Sequence, residues 1–416
     1  MSRPVSSPET GARAVLASGF LLGLGMLAVL LTDRSHMLAA NFEVYQVAAE
    51  TALAGGDFYA VAPDRFPNFF YLYPPITIVP FLPFTAVGLW TGFLAHTLIE
   101  VALGLAFAWL LVRWIERYRT LETIDYALIA GFVVGSIHTV PSLVYGQVNL
   151  RMALLIAVGL FLLERAVTAD DSHSAMRLET FAGIALAGAA LLKVFPAAIG
   201  LWLLRLRAWW TVAAAVATGV GGLTLGALVF GLERTRTFFL EALLPRSDGD
   251  AFAGGLDPAE PYVTIRRPLS VLFDLEPTLL SILAAVVLLV PLAYVYTGID
   301  SPRDRLVGAH ATVLVVFVYF PSFPLYYVIT FGTLIPLLYV LEDRSVRLLF
   351  VGGALLANLA LTGGTLEDVA AVAPPAVAGP LLAVGMPFLT LSTPVLAGVI
   401  AMLSGCVLYR HRRSVE

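Results

Sequence analysis

The stretch ARAVLASGFLLGLGMLAVLLT, residues 12–32, contains one charged residue, Arg13. A helix of about 20 mainly apolar residues can cross the ~30 Å hydrocarbon core of a bilayer. The stretch is too long for the apolar part of a signal peptide and lacks a small-residue cleavage site, so it is interpreted as a retained span. The whole chain of 416 residues is 59% hydrophobic and 13% charged. These values predict an all-α, polytopic membrane protein.

Further apolar runs bring the number of candidate segments to twelve. They lie near 12–32, 74–87, 89–112, 124–144, 147–163, 179–204, 208–230, 277–298, 306–320, 325–341, 346–362 and 391–409. The sequence therefore predicts a bundle of about 11–13 transmembrane helices in a single integral membrane domain, residues 1–416. A β-barrel would show alternating segments of about ten residues instead.

Arginine positions predict the orientation, because cytoplasmic loops are enriched in Lys and Arg. Arginines near both termini and after several segments place the N- and C-termini in the cytoplasm of a multi-pass protein of the cell membrane. The long loops 33–73 and 231–276 then lie outside, and they hold thirteen acids against seven arginines. The net charge of −4 gives no reason to expect a nucleic-acid partner.

The region between residues 74 and 204 is compatible with two topologies. The sequence does not decide on which side of the membrane five of its arginines lie: Arg113, Arg117, Arg119, Arg165 and Arg177. If they are cytoplasmic, 74–112 crosses once with a re-entrant piece, and 179–204 is a re-entrant hairpin. If 74–87 and 89–112 each cross, these arginines lie outside and 179–204 is one span.

The first long loop carries much of the polar and aromatic chemistry, NFEVYQVAAETALAGGDFYAVAPDRFPNFFYLYPP at 41–75. Asn41 is a good N-cap, and the residues up to Leu53 then form an amphipathic helix that we expect to lie along the membrane surface. Gly55-Gly56 ends this helix, and Pro74-Pro75 opens the next one.

Several motifs follow in a fixed order: N-F-E-V-Y (41–45), G-G-D-F-Y (55–59), Y-P-P (73–75), G-Q-V-N (146–149) and K-V-F-P (193–196). Together they resemble glycosyltransferase family 87, the polyprenol-phosphate-mannose-dependent mannosyltransferases of the GT-C fold. The resemblance covers most of the chain and is strongest from Asn41 to Trp210. It implies a GT-C-like bundle with amphipathic loop helices on the outer face. It also implies a polyprenyl-phosphate sugar donor, a glycan or lipid acceptor, and an outer-face active site.

The family's proposed catalytic aspartate opens the pattern D-x-x-V-Y, which maps onto Asn41. An amide has no basic oxygen of useful pKa, so Asn41 cannot be a general base. Glu43, Asp57 and Asp64 are the alternatives. Glu43 lies about 160° around a helix that starts at Asn41, so it can serve only if the helix begins after 43 or the acceptor approaches from the other face. The family's Trp-x-His-type motif corresponds to Pro321–Tyr327, which contains no histidine.

Other residues are candidates for binding substrate. Lys193 is a charge inside an apolar run, where it is costly unless it is paired or hydrated, so we expect it to hold a phosphate or a carboxylate. Arg266 and Arg267 offer bidentate forks for a leaving phosphate. The remaining candidates are the polar or aromatic members of the loop and helix motifs: Tyr45, Tyr73, Gln147 and Asn149.

No metal site is predicted. The only cysteine is Cys406, and the acids Asp248, Asp250 and Asp257 do not form an EF-hand pattern. A divalent cation held by loop acids is therefore possible but unsupported. Glu100, inside the membrane, predicts a salt bridge or a protonated core acid, and His138 predicts core packing. The rival to a transferase is a non-catalytic lipid- or glycan-binding homologue, or a transporter, although no inverted repeat is found.

Overall fold

The computed structural model describes residues 8–244, 256–257 and 260–415, so Arg246, Asp248 and Asp250 lie outside the described residues. The described part is helical, and its one β-bridge joins Val263 to Ser322. The α-helices are α1 Pro8–Thr32, α2 Ala40–Leu53, α3 Leu89–Ile115, α4 Thr123–Gly135, α5 Thr139–Tyr145, α6 Asn149–Val167, α7 Ser172–Leu192, α8 Gly200–Leu206, α9 Trp209–Phe230, α10 Leu232–Thr237, α11 Arg266–Leu272, α12 Pro277–Val295, α13 Pro302–Tyr319, α14 Phe331–Val340, α15 Arg344–Ala357, α16 Gly363–Val372, α17 Pro375–Leu391 and α18 Pro394–Val415.

Short 3₁₀- and π-helical stretches also occur among the described residues. Four are 3₁₀-helices, at Ser35–Met37, Pro75–Ala86, Phe195–Ile199 and Pro324–Thr330, and one is a π-helix, at Phe238–Leu243. Pro80 and Pro83 lie inside Pro75–Ala86, and a proline there removes a backbone donor from the α-helical ladder. Each of the twelve apolar segments predicted from the sequence therefore contains helix, but several segments are broken.

The protein is an all-α polytopic membrane protein. Within the described ranges, six helices are long and apolar enough to cross a bilayer, namely α1, α3, α7, α9, α12 and α18. The bent pair α4–α5, with 46° between its members, brings the number to seven. The expected number of 11–13 is therefore too high by this criterion, because segments such as 325–341 divide into a 3₁₀ turn and a short α-helix. Helices α16 and α17 were not predicted from the sequence.

Many helix ends that carry arginine meet at one end of the bundle. Arg13 in α1 bonds Asp125 at the start of α4, with Nε–Oδ1 at 2.8 Å. Arg119 after α3 pairs with Glu9, and Arg305 in α13 pairs with Glu164 near the end of α6 at 2.7 Å. We call this the arginine-rich end. The opposite end, which carries α2, the loop 33–73 and the described parts of the loop 231–276, is called the loop end.

The chain directions match the first of the two topologies for residues 74–204, and the side of the membrane on which each end lies stays a prediction. Arg117 donates to Thr168 at 3.5 Å, so the turns after α3 and α6 share the arginine-rich end. Helix α7 runs away from that end parallel to α9, with Gly183 against Thr211 and Gly222 against Leu191. The chain then returns along α13, from the Phe195–Phe320 contact to the Trp202–Gly308 contact. Residues 172–206 thus form a helical hairpin, and its first arm, α7, is long and apolar enough to cross a bilayer.

The stretch Pro75–Ala86 stays at the loop end. Phe81 packs on Tyr45 of α2 with ring centroids 4.5 Å apart, and Gln46 donates to the carbonyls of Phe84 and Val87 at 3.1 and 3.0 Å. The segment 74–112 therefore runs between the two ends once, in α3. Helix α2 itself is largely buried against protein. Its placement along a membrane surface remains a prediction.

Candidate active site at the loop end

A cluster of amide side chains lies where α5 turns into α6. Gln147 donates from Nε2 to Asn41 Oδ1 at 3.1 Å, and its Oε1 accepts from Asn149 Nδ2 at 2.9 Å. Asn149 also donates to Ser142 Oγ at 2.8 Å. Gly146 permits this turn, because its φ of +73° is strained for other residues and because a Cβ would meet Phe42 Cβ at 2.6 Å. The first loop and the G-Q-V-N motif are thus in direct contact.

Lys193 joins this cluster from the tip of the hairpin formed by residues 172–206. It follows the last residue of α7, is only 7% exposed, and its Nζ lies 3.4 Å from Gln147 Oε1. The same Nζ lies 3.6 Å from the centroid of the Tyr326 ring, which is a close cation–π contact. The contacts of the ammonium, just after the end of α7, include this amide oxygen and this aromatic face. This arrangement leaves a buried cation facing the first loop.

Tyrosines of the first loop pack together near Tyr326, the ring that carries Lys193. The hydroxyl groups of Tyr45 and Tyr73 are 3.3 Å apart, and Tyr59 donates to Tyr73 O at 2.6 Å. Burial raises the pKa of Tyr45 well above its usual value, with further contributions from Tyr73 and Tyr326. Burial likewise raises the pKa of Tyr59, reinforced by Asp57. These phenols therefore stay neutral and can donate hydrogen bonds, but they cannot act as bases.

An apolar groove of about 390 Å³ adjoins this site. Val194, directly after Lys193, and Pro74, directly after Tyr73, both line it. The rest of its wall comes from apolar residues of α7, the 3₁₀-helix Phe195–Ile199, α8, α9 and the π-helical segment. A buried cation thus lies next to a groove that suits a long apolar chain.

The start of α2 differs from the prediction. Its N-cap is Ala39, whose φ is +64°, and Asn41 lies inside the first turn, so the prediction of Asn41 as N-cap is wrong. The Ala39 N–H donates to the Val144 carbonyl at 2.9 Å, and this contact with α5 sets the register. Glu43 is therefore also inside the helix, on the side turned away from Asn41. Glu43 could take the place of Asn41 only if the helix began after residue 43, and it does not.

The three candidate acids have different surroundings. Glu43, whose side chain is 13% exposed, pairs with Arg65 at 2.7 Å. Asp57, 39% exposed, pairs with Arg234 of α10 at 2.6 Å and accepts from the Tyr59 N–H at 3.1 Å. Asp64 is exposed. Asp57 is thus the candidate that connects directly to the tyrosines beside Lys193.

A model of one protein family, glycosyltransferase family 87, matches residues 71–322, which is more than half of the chain. The chain belongs to glycosyltransferase family 87. It is therefore a membrane glycosyltransferase, with a sugar donor and an acceptor as its substrates. No curated protein and no solved structure matches the chain. The matched range includes Gln147, Lys193 and both loop arginines, and it begins after the candidate acids of the first loop.

The two loop arginines of this glycosyltransferase have separate roles. Arg266 lies over the Tyr319 ring, with Cζ 5.3 Å from the centroid. Arg267 is fully buried and donates to four backbone carbonyls, those of Asp257, Glu260, Tyr262 and Leu389. Its guanidinium therefore binds the large loop to the end of α17. Arg266 remains a candidate for binding phosphate, whereas the guanidinium of Arg267 is used in hydrogen bonds to the protein backbone.

Aromatic rings connect the arginine region to Lys193. Tyr262, just before the two arginines, packs on Phe323 with centroids 5.1 Å apart, and Phe323 packs on Tyr326 at 5.8 Å. Tyr326 carries Lys193 on its face. The predicted cations therefore border one aromatic region.

Two polar residues near the site were not assigned to it from the sequence. Arg151, one turn into α6, pairs with Glu100 of α3 at 2.7 Å, so the salt bridge predicted for Glu100 is present. The signal was available, because Arg151 is a charge in an apolar run two residues after Asn149. His138 is buried and packs on Tyr327, with its Nδ1 2.9 Å from the Pro324 carbonyl oxygen. A histidine thus contacts the Pro321–Tyr327 stretch from the turn between α4 and α5.

Metal ligands do not cluster in the described ranges, where no group of three or more His, Cys, Asp or Glu side chains could hold an ion. Asp257 uses its backbone carbonyl to bind Arg267. The other two acids considered for a cation lie outside the described residues.

Proposed function

We propose that this glycosyltransferase moves mannose from a polyprenyl-phosphate carrier to a glycan or lipid acceptor at the loop end. The acceptor hydroxyl would displace the carrier phosphate in one step, which inverts the configuration at the anomeric carbon. The C–O bond to the carrier phosphate breaks as the bond to the acceptor oxygen forms. The acceptor proton passes to a carboxylate, and the phosphate leaves as an anion.

The position of Lys193 beside the apolar groove is the observation that carries this proposal. A polyprenyl-phosphate sugar joins a long apolar chain to a charged phosphate, and the groove and the ammonium match these two parts in order. An ammonium in a site of low dielectric stabilises developing negative charge more strongly than it would in water. Gln147 and Asn149, which belong to the amide cluster that Lys193 joins, supply amide groups suited to sugar hydroxyls.

Asp57 is the acid that the geometry favours as general base. It is partly exposed, so an acceptor can reach it, and Tyr59 links it to Tyr73 at the groove mouth. Glu43 is held on the other side of α2 by Arg65, whose guanidinium also donates to the carbonyls of His36 and Leu38. The sequence slightly favours Glu43, because a small register change at the start of the helix would bring it into place; since α2 begins at Ala40, Asp57 is proposed instead.

Transferase activity with polyprenyl-phosphate mannose tests the proposal. Asp57→Asn should lower the rate by about 10²–10⁴, as expected for loss of a general base. The control is Glu50→Gln, which removes an exposed carboxylate from α2, and it should leave the rate within about twofold. NMR of the product should show the anomer opposite to that of the donor. Retention of configuration would refute the single displacement.

Lys193→Gln tests the phosphate site. Losing one hydrogen bond to a charged group, worth about 1.5–3 kcal/mol, should reduce kcat/KM by about 10–150-fold. Lys193→Arg keeps the charge and should lose less. If wild type is inactive and Asn41→Asp gains activity, the chain is a binding homologue whose chemistry has been lost.

A further inference from the structure

A second cavity, of about 650 Å³, opens at the arginine-rich end, between the last turns of α3 and α6. We call it the basic groove and define it by six of its lining residues: Trp109, Arg113, Glu116, Arg117, Phe161 and Arg165. It lies at the opposite end of the bundle from Lys193. The transfer reaction proposed above therefore does not use it.

Helical spacing gives the groove a polar mouth and an apolar floor. Trp109 and Arg113 lie four residues apart on α3, and residues four apart share one helix face, whereas Arg117 follows in the turn after α3. Phe161 and Arg165 have the same spacing on α6. Both aromatic residues lie one turn nearer the middle of their helices than the arginines. The groove thus changes from cationic to apolar with depth.

The charge of the groove is strongly positive. Its three arginines face one acid, Glu116, which already accepts from Arg113 at 3.3 Å and from the Tyr126 hydroxyl at 2.6 Å. The guanidinium carbons of Arg113 and Arg117 lie 5.9 and 6.0 Å from the ring centroids of Trp109 and Phe161. A guanidinium near a ring face still has N–H groups in its own plane that can bind an anion.

We propose that the basic groove binds the phosphate headgroup of an anionic membrane lipid, with an acyl chain against Trp109. Arginine forks match phosphate oxygens bidentately, and basic pockets between transmembrane helices suit anionic headgroups. Trp109 is 65% exposed, which leaves a large apolar ring directly below the cations. A lipid fits both parts of this gradient, whereas a soluble anion would use only the arginines.

Native mass spectrometry of the full-length protein in detergent, with phosphatidylglycerol or phosphatidylcholine added, tests this site. Arg113→Gln, Arg117→Gln and Arg165→Gln together should weaken phosphatidylglycerol retention at least about tenfold, because three charge-assisted contacts are lost. The matched control replaces three exposed arginines with glutamine: Arg177, Arg207 and Arg344. It removes the same charge and should change retention by less than about twofold.

Equal weakening by the two triple variants, or equal retention of the two lipids by wild type, would overturn the proposal. Trp109→Ala distinguishes a lipid from a free anion, since it should weaken phosphatidylglycerol retention and leave the arginines in place. Competition by excess inorganic phosphate that is as effective as competition by the lipid would overturn the lipid assignment. If the glutamine triple fails to fold, the same three positions changed to lysine keep the charge. Retention that is unchanged in that lysine variant would contradict bidentate binding.

Discussion

The ion pair between Glu100 and Arg151 gives a prediction whose size follows from the structure. Glu100 is 1% exposed and accepts from Arg151 Nη2 at 2.7 Å, from Nε at 3.0 Å and from the backbone N–H at 3.3 Å. Arg151→Met leaves this carboxylate buried with only the backbone contact. Removing one partner of a buried pair costs about 3–5 kcal/mol. At roughly 2 °C per kcal/mol, the melting temperature should fall by about 6–10 °C.

The reverse change should cost less. Arg151 keeps 20% of its side chain exposed, so Glu100→Gln leaves a cation that water can reach, at a cost of about 1.5–3 kcal/mol for the lost charged hydrogen bonds. The double variant Glu100→Gln/Arg151→Met removes both charges and should cost less than the sum of the single variants. The expected coupling is at least about 1.5 kcal/mol, within the range seen for residues in contact.

Thermal unfolding of the purified protein in detergent measures all three variants. The control is the exposed pair of Arg303 with Glu342, 42% and 70% exposed, for which Glu342→Gln should cost about 0–1 kcal/mol. Costs that add within about 0.5 kcal/mol would refute the reasoning, because additivity is the behaviour of independent sites. An Arg151→Met cost no larger than the Glu342→Gln cost would also refute it.

Three further predictions follow from other parts of the chain. Gly146→Ala should be more destabilising than Gly55→Ala in a thermal melt. Both glycines have a positive φ, which costs an alanine about 1–2 kcal/mol, but only an alanine at 146 would also clash with a neighbour, at a further cost of about 1–3 kcal/mol. Hydrogen bonds from the backbone and side chain of Ser174 lower the pKa of Asp171, the N-cap of α7. The ionised Asp171 side chain should therefore stabilise the folded protein fully above the ordinary carboxyl pKa of about 4, and this stabilisation should be lost as the pH falls through the lowered pKa. On acidification, the melting temperature of the wild type should therefore fall more than that of Asp171→Asn. Asp64→Cys and Arg177→Cys should be labelled by an impermeant thiol reagent from opposite sides of the membrane, with Asp64→Cys outside; labelling of both from one side would contradict the predicted orientation.

Sequence reasoning located the elements because their signals are local. The run at 12–32 contains one charge, and this is enough to identify α1 whatever it packs against. The glycine pair after Leu53 and the prolines at 74–75 mark the end of one helix and the start of another, since their backbone preferences belong to the residues themselves. Lys193 stood out for the same reason, as a charge within an apolar run.

The contacts that each side chain makes and the direction in which each helix runs depended on the tertiary structure, because they are set by residues far away in the sequence. Helix α2 begins at Ala40 because Ala39 bonds the backbone of Val144, and no pattern around residue 41 contains that contact. The hairpin at 172–206 returns to the arginine-rich end because its second arm packs along α13. Hydropathy measures whether a segment prefers lipid or protein to water, and it carries no information on which way the segment runs or which charge it meets. The lysine was therefore visible in the sequence, whereas its place beside Gln147, Tyr326 and the apolar groove was decided only when distant segments packed together.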